Sequence, residues 1–213
     1  LPDALGARLS SHKSELLALF QEPNGKETSP WQQIIPNEKD RHLPFPLTDL
    51  QQAYWVGQSA PLELGNICCH YYVEFDNQGI DLERLDIAWQ RVVQRHEMLR
   101  AVVLPDGTQR ILEEVPPFQI EVTDLRGHNS EIVSEHLDKI RGLLSHQAFA
   151  ASDWPHFDIR ATRCDGFTRL HVSINILFTD VYGILQIFTE WQRFYIDPET
   201  ILEPLQLSFR DYV

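Results

Sequence analysis

Residues 157–178 read FDIRATRCDGFTRLHVSINILF, which is two runs rich in β-branched and aromatic residues around the pair Asp165-Gly166. An Asp-Gly pair between two such runs is the strongest short-range signal for a β-hairpin. The next segment, VYGILQIFTEWQRFYI at 181–196, is interpreted as a long helix that stops at Pro198. The sequence therefore predicts a hairpin that leads directly into a helix.

Outward from this hairpin, the patterns predict a mixture of strands and helices. Thr48 and Gln51 form a T-x-x-Q capping box, and we expect the helix it opens to end at Gly57 in a left-handed cap. Asp81 is expected to cap a long amphipathic helix. Further predicted elements are strands at 67–75, 100–104, 109–115 and 118–125 and a helix at 130–147. Strands and helices do not alternate strictly, so the predicted fold class is α+β, or layered α/β, with a mixed or largely antiparallel sheet.

The chain is expected to divide into three regions. Residues 1–22 contain apolar positions at helical spacing and predict a short N-terminal helix. Residues 23–44 are rich in proline and polar residues and are interpreted as a linker. The main domain is expected to cover residues 45–213.

Composition excludes several classes of function. With 18 Lys and Arg against 31 Asp and Glu, the formal charge is −13, which disfavours a nucleic-acid partner. No apolar run is long enough to span a membrane, and the N-terminus lacks the features of a signal peptide, so a cytoplasmic location without membrane contact is expected.

Cys68, Cys69 and Cys164 give neither a disulfide framework nor C-x-x-C spacing and are interpreted as reduced packing residues. The sequence also lacks H-E-x-x-H, G-x-S-x-G and P-loop motifs.

The second strand of the hairpin carries a polar row. Alternate side chains of a strand share a face, so His171, Ser173 and Asn175 are expected on one face and apolar residues on the other. Asp180 follows at the predicted helix start. In a structural interpretation, Asp180 is an N-cap worth about 0.5–2 kcal/mol and Asn175 ends the strand at a turn. A functional interpretation of the same two residues stays open.

Three blocks of sequence carry a family resemblance. They are FPLTDLQQAYWVGQ at 45–58, RHEMLRAVVLPDGTQRIL at 95–112 and LSFRDYV at 207–213. The first matches F-P-L-T-x-x-Q-x-A-Y-x-x-G-R, with Tyr54 as its tyrosine and Gln58 in place of the final arginine. The second is close to R-H-x-M-L-R followed by D-G-x-Q, with Arg100 as its last arginine. Together these blocks resemble the heterocyclization domains of nonribosomal peptide synthetases, a branch of the condensation-domain superfamily.

The signature of that family is D-x-x-x-x-D-x-x-S, whereas ordinary condensation domains carry H-H-x-x-x-D-G. The aligned segment here is NILFTDVYG. Asp180 matches the second Asp, but Asn175 stands for the first Asp and Gly183 stands for the Ser. Ile176 occupies the place of the second His of condensation domains. If the first Asp forms a buried ion pair in active relatives, Asn175 would leave its cationic partner poorly compensated unless that partner also changed.

The resemblance implies a chloramphenicol-acetyltransferase-like lobe with flanking helices. Two such lobes meet at a tunnel, which phosphopantetheine arms of upstream and downstream peptidyl carrier domains enter from both sides. No cofactor is implied to bind the chain directly. A complete domain is about twice as long, and its cyclodehydration residues lie in the second lobe. We therefore expect an N-terminal subdomain that lacks its C-terminal lobe and is inactive alone.

Residues 5–19, L-x-x-x-L-x-x-H-K-x-E-L-L-A-L, have a likeness of their own. They resemble the last helix of the small docking domains of the tubulysin-synthetase type, which implies an upstream synthetase subunit as a partner. A plain covering helix is the alternative interpretation.

The leading functional hypothesis follows from the resemblance. The complete domain would condense a carrier-bound acyl thioester with carrier-bound Cys, Ser or Thr and cyclodehydrate the product to a thiazoline or oxazoline. Asp180 and Asn175 are the predicted catalytic residues of this lobe, acting by positioning and acid–base help. Gly183, Tyr54 and Arg100 are predicted to line the substrate tunnel or to serve a structural motif. The alternatives are a degenerate scaffold or docking lobe without catalysis, and condensation without cyclization.

Overall fold

Strands and helices are mixed along the chain as the sequence predicts. The computed structural model describes residues 34–58 and 68–213. The strands there are β1 (Phe45–Pro46), β2 (His70–Asn77), β3 (Ala101–Val103), β4 (Thr108–Ile111), β5 (Glu121–Asp124), β6 (Phe157–Cys164) and β7 (Phe167–Asn175). The α-helices there are α1 (Asp49–Gly57), α2 (Leu82–Arg95), α3 (Ser130–Leu144), α4 (Val181–Ile196) and α5 (Phe209–Tyr212). Short 3-10 helices cover Glu38–Asp40 and Glu97–Arg100.

The strands form two sheets. The larger has the order β2-β7-β6-β5, and the smaller has the order β1-β4-β3. Among the described strands, β5 and β6 pair in parallel and the other pairings in both sheets are antiparallel. The predicted α+β class with a mixed sheet is confirmed.

The predicted hairpin is the centre of the larger sheet. Cys164 pairs with Phe167, so Asp165 and Gly166 form a two-residue loop. Gly166 has a φ of +83°, a conformation that glycine adopts without steric cost. Because the loop is this short, it fixes the register of the whole hairpin.

One face of the larger sheet packs on α2 and α4 through the main apolar core. Trp89 of α2 is fully buried and meets the ring of Phe157 at 5.0 Å and that of Trp191 at 4.8 Å, both edge to face. The Trp191 indole also donates to the carbonyl of Leu85 at 3.0 Å, which ties α4 to α2. Aromatic pairs of this kind each contribute about 0.5–1.5 kcal/mol beyond the area they bury.

The opposite face of the larger sheet is polar and is covered by α3. Glu74 of β2 lies opposite His171 of β7, and Arg141 of α3 donates to both Glu74 carboxylate oxygens at 2.6 and 2.8 Å. The polar row on β7 is therefore buried: His171 and Ser173 are 0% exposed and Asn175 is 1% exposed.

Several predicted boundaries change. The capping box of Thr48 is confirmed, but the left-handed cap at Gly57 is wrong. Gly57 is the last residue of α1, and Gln58 closes the helix with an ordinary φ of −80°. The strand predicted from residue 67 begins at His70. The predicted helix at 1–22 lies outside the described residues.

No helix within the described ranges is both long and apolar enough to cross a membrane. The three cysteines are free, as predicted.

We expect Asp81→Ala to destabilise the fold by removing the cap of α2. The Asp81 carboxylate accepts from the backbone N–H groups of Glu83 and Arg84, both at 3.1 Å. Loss of such a cap lowers the free energy of unfolding by about 1 kcal/mol, which urea denaturation measures. Glu135→Ala is the control, because it removes an exposed carboxylate from the interior of α3 and no cap. Equal losses in the two variants would contradict the capping role.

Candidate functional site

The candidate site lies where β7 ends and α4 begins. The Asn175 side-chain oxygen accepts from the backbone N–H of Leu177 at 3.0 Å, so Asn175 closes the turn that leaves the strand. Asp180 is the N-cap of α4 and accepts from the backbone N–H of Gly183 at 2.7 Å. The structural interpretations of both residues are thus confirmed. Their exposure differs, because Asn175 is buried whereas Asp180 is exposed.

A pair of buried glutamines connects this loop to the motif blocks at 45–58 and 95–112. The side-chain amide of Gln51 donates to Gln109 Oε1 at 3.0 Å and to the carbonyl of Leu177 at 3.1 Å. Gln109 donates in return to Gln51 Oε1 at 2.8 Å and to the carbonyl of Pro46 at 2.9 Å. Gln51 Oε1 also accepts from the backbone N–H of Thr48 at 3.0 Å. The blocks at 45–58 and 95–112 and the loop after β7 therefore meet through one reciprocal amide pair.

Tyr54 and Arg100 belong to the support of the site. Tyr54 packs against the smaller core cluster, which contains Phe45, Leu177 and Phe178. The Arg100 guanidinium donates to backbone carbonyls at the end of α2 and after β4: those of Val93, Gln94, Leu112 and Glu113. Burial lowers the pKa of Arg100. Both residues thus hold elements together.

The polar row on β7 has a defined proton arrangement at its far end. Tyr72 donates its hydroxyl proton to Glu74 Oε1 at 2.8 Å. The Tyr72 oxygen therefore accepts from Nδ1–H of His171, also at 2.8 Å, which leaves Nε2 of His171 as the unprotonated nitrogen. Burial lowers the pKa of His171 to about 4, and the hydrogen bonds from Arg141 lower the pKa of Glu74 to about 2. His171 is neutral at pH 7.

His156 is the group beside Asn175 that the sequence interpretation missed. The backbone N–H of Asn175 donates to the His156 carbonyl at 2.9 Å, which places the two residues opposite each other across β6 and β7. His156 is 2% exposed, and burial lowers its pKa to about 4. In the described ranges, both ring nitrogens of His156 and Nδ2 of Asn175 have no hydrogen-bond partner. Counting back along the two-residue hairpin would have placed His156 opposite Asn175.

Among the described residues, no charged group is hydrogen-bonded to Asn175, and the residue opposite it on β2 is His70. A neutral residue at position 175 is expected to leave a cationic partner poorly compensated unless that partner has also changed. In the part of the chain that the structure describes, no cation is hydrogen-bonded to Asn175. An unpaired charge at this depth would be strongly destabilising, so a neutral Asn175 and a neutral His156 are mutually consistent.

A small cavity of about 200 Å³ lies beside the N-terminus of α4. Its lining includes Thr179, Gly183, Gln186 and His96. His96 Nε2 lies 2.7 Å from Glu190 Oε2, to which Arg95 also donates at 2.8 Å.

Glu190 is 6% exposed, and hydrogen bonds from Arg95 and His96 compensate its negative charge. Burial raises its pKa, but the hydrogen bonds from Arg95 and His96 more than offset this, and the pKa stays below its ordinary value. A carboxylate in this position orients the imidazole of His96, as carboxylates do in many acid–base sites. No single motif predicted this pair, because it depends on the packing of α2 against α4.

The site is suited to orienting a ligand by hydrogen bonds. In the described residues there is no group of three or more His, Cys, Asp or Glu side chains that could hold a metal ion. The polar side chains in the lining of the cavity are those of Thr179, His96 and Gln186, and the exposed Asp180 carboxylate lies at the start of α4.

Comparison with known proteins shows which proteins the chain is similar to. No protein-family profile matches the chain. Pyochelin synthetase PchF of Pseudomonas aeruginosa is 36% identical over 173 residues, which is 81% of this chain and 10% of the relative. Phenyloxazoline synthase MbtB of Mycobacterium tuberculosis is 37% identical over 176 residues, or 79% of this chain and 12% of the relative.

A solved structure extends the similarity over the whole chain. The cyclization-docking bidomain of the EpoB nonribosomal peptide synthetase from Sorangium cellulosum matches with a TM-score of 0.82 and 38% identity, and covers 100% of this chain and 42% of that chain. The fold and the site loop thus define a condensation-type lobe of nonribosomal peptide synthetases. Within that class, the chain is an N-terminal subdomain of a heterocyclization/condensation domain. It spans only about a tenth of the length of the curated relatives it matches.

We expect the stability of the protein to fall as the pH decreases from about 6.5 to 4. The folded-state pKa of both His156 and His171 is about 4, whereas an unfolded histidine titrates near 6.5. The unfolded state therefore binds more protons across this interval, and each histidine lowers the free energy of unfolding by at most about 1.4 kcal/mol per pH unit. Urea denaturation at a series of pH values measures the slope.

The variant His156→Phe is expected to reduce that slope, since one of the two buried histidines no longer titrates. His128→Asn is the control, because His128 is exposed. An unchanged slope in His156→Phe would show that His156 is not a buried neutral group.

Proposed function

We propose that this lobe belongs to a domain that makes a heterocycle. The complete domain joins a carrier-bound acyl thioester to a carrier-bound Cys, Ser or Thr. It then adds the side-chain nucleophile to the new amide and expels water, which gives a thiazoline or oxazoline. The carrying observation is that the loop between β7 and α4 is held at Leu177 by Gln51, which is paired with Gln109, so that the motif blocks at 45–58 and 95–112 both support it.

The names of the relatives support this proposal. One relative is a phenyloxazoline synthase, and a structure that matches the whole chain is a cyclization-docking bidomain. This chain is 37% and 38% identical to these two proteins, and it retains Asp180 of the signature.

The geometry supports different roles for the two signature residues. Asp180 is exposed at the start of α4, so its carboxylate is accessible to a substrate, and we assign it the catalytic role of this lobe. Asn175 is 1% exposed, and its oxygen is engaged by the backbone of Leu177. We therefore assign Asn175 as a positioning residue that sets the path of the loop toward Asp180.

The partners in this proposal are peptidyl carrier domains upstream and downstream, which deliver substrates on phosphopantetheine arms. The C-terminal lobe of the same domain completes the tunnel. Residues 1–22 serve as the end of a docking domain for an upstream synthetase subunit, and residues 23–44 form the linker to the main domain. The similarity to a cyclization-docking bidomain over 100% of the chain supports this division.

One observation favours a second candidate, a scaffold lobe without catalysis. Asp180 caps a helix and Asn175 closes a turn, so both have structural roles that need no substrate. The two candidates differ in whether the charge of Asp180 matters.

We expect the complete protein, supplied with loaded donor and acceptor carriers, to yield a carrier-bound adduct that has lost one water beyond condensation. The variant Asp180→Asn retains the cap, since Asn caps helices as well as Asp, but removes the charge. Ring formation should fall about 100-fold or more, the usual contribution of an acid–base group, while the free energy of unfolding stays unchanged. Intact-mass analysis of the adduct over time measures the rate.

Asp81→Asn is the matched control, because it makes the same change at the cap of α2. A linear adduct from the unmodified protein would indicate condensation without cyclization, and no adduct would favour the scaffold. Full ring formation in Asp180→Asn would contradict the catalytic role of Asp180.

A further inference from the structure

Gly183 is not required by the backbone of α4. It is the third residue of the helix and is not among the glycines with positive φ. Glycine inside a helix costs about 1 kcal/mol relative to alanine, so another constraint must favour it here.

The constraint is the side chain of Thr179. A Cβ atom at residue 183 would lie 2.5 Å from Thr179 Oγ1, a separation that real Cβ atoms essentially never show. It would also lie 3.3 Å from Asp180 Oδ1. In its present rotamer, the hydroxyl of Thr179 therefore occupies the space that a side chain at residue 183 needs, and a Cβ atom there would require the hydroxyl to move.

This hydroxyl has hydrogen-bonding capacity to spare. Its one hydrogen bond in the described residues is a long contact of 3.4 Å to the carbonyl of Asp180. Thr179 and Gly183 both line the cavity of about 200 Å³ beside α4. The hydroxyl is thus at the boundary of a space large enough for a small group.

His96 is a second polar residue in the lining of the cavity. The 2.7 Å contact with Glu190 fixes the orientation of its ring. The lining also contains Gln186, whose amide donates to Glu190 Oε1 at 3.3 Å, and the apolar residues Leu99, Phe178 and Ile187. The Thr179 hydroxyl and the oriented His96 imidazole in a largely apolar lining fit a ligand group that both donates and accepts, such as an amide.

We propose that Thr179 and Gly183 act as one unit, in which Thr179 supplies from residue 179 the hydroxyl that the D-x-x-x-x-D-x-x-S signature places at residue 183. With His96 it forms a subsite for an amide group of the substrate. This inference rests on the proposed function, in which an amide is the product of condensation and the group attacked during ring closure. Gly183 then leaves space for the Thr179 hydroxyl, so the hydroxyl of the signature is moved to residue 179 and is not lost.

The shared space is tested by the stability of four proteins: the unmodified chain, Gly183→Ala, Thr179→Ala and the double variant. Gly183→Ala should lower the urea midpoint when Thr179 is present, because of the 2.5 Å contact. The same substitution should raise the midpoint in Thr179→Ala, since alanine favours the helix. A rise in both backgrounds would overturn the shared space.

The role of the hydroxyl is tested in the complete protein by ring formation, followed by intact mass. Thr179→Ala should lower the rate about tenfold, as expected for one lost hydrogen bond in the transition state, and Thr179→Ser should retain it. The double variant Thr179→Ala with Gly183→Ser should recover most of the rate, since the hydroxyl returns at the signature position. Thr189→Ala is the matched control, because that hydroxyl lies on α4 but bonds to the carbonyl of Leu185.

Equal rates for Thr179→Ala and the unmodified protein would overturn the subsite, and so would a double variant no faster than Thr179→Ala. Failure of the proposed function is recognised separately, because the unmodified protein would then form no cyclized adduct. The stability comparison does not depend on activity, so the two failures are distinguishable.

Discussion

The reciprocal hydrogen bonds between Gln51 and Gln109 are the interaction on which the arrangement of the site depends. Each amide donates to the other, and the remaining donors bind the carbonyls of Pro46 and Leu177. Both side chains are buried, at 6% and 0% exposure, and an unpaired amide in such surroundings costs about 1–3 kcal/mol. The pair therefore admits few alternative arrangements, and it fixes the start of α1, the strand β4 and the loop after β7 relative to one another.

The two faces of the larger sheet have different roles in the fold. The face under α2 and α4 is apolar and centred on Trp89, and its packing gives the sheet most of its stability. The face under α3 is polar and carries the buried neutral His171 and the ion pair between Glu74 and Arg141. Strand β7 belongs to both faces, and the site begins where it ends at Asn175. The strand thus positions a loop in which Leu177 and Phe178 are buried, with the exposed Asp180 at the start of α4.

Local signals in the sequence predicted the helices and strands well. They did not predict contacts between residues that are distant in the sequence. The hairpin at Gly166 and the cap at Asp81 each depend on residues within one turn, so pattern alone was sufficient. Gly57 was wrongly predicted as a left-handed cap, because a glycine that follows a helical pattern can equally be its last residue. The pairing of Gln51 with Gln109 needs two sheets and a helix in place. The catalytic roles of the signature residues, including Asp180, remain predictions.

The central claim is that the amide pair holds the site loop, and hydrogen exchange tests it most directly. In Gln51→Leu, the carbonyl of Leu177 loses its donor, so the backbone amides of residues 176–180 should exchange faster while those of the β6–β7 hairpin do not change. Gln52→Leu is the matched control, because Gln52 is the exposed neighbour on the same helix. Unchanged exchange at residues 176–180, or the same increase in Gln52→Leu, would contradict the account.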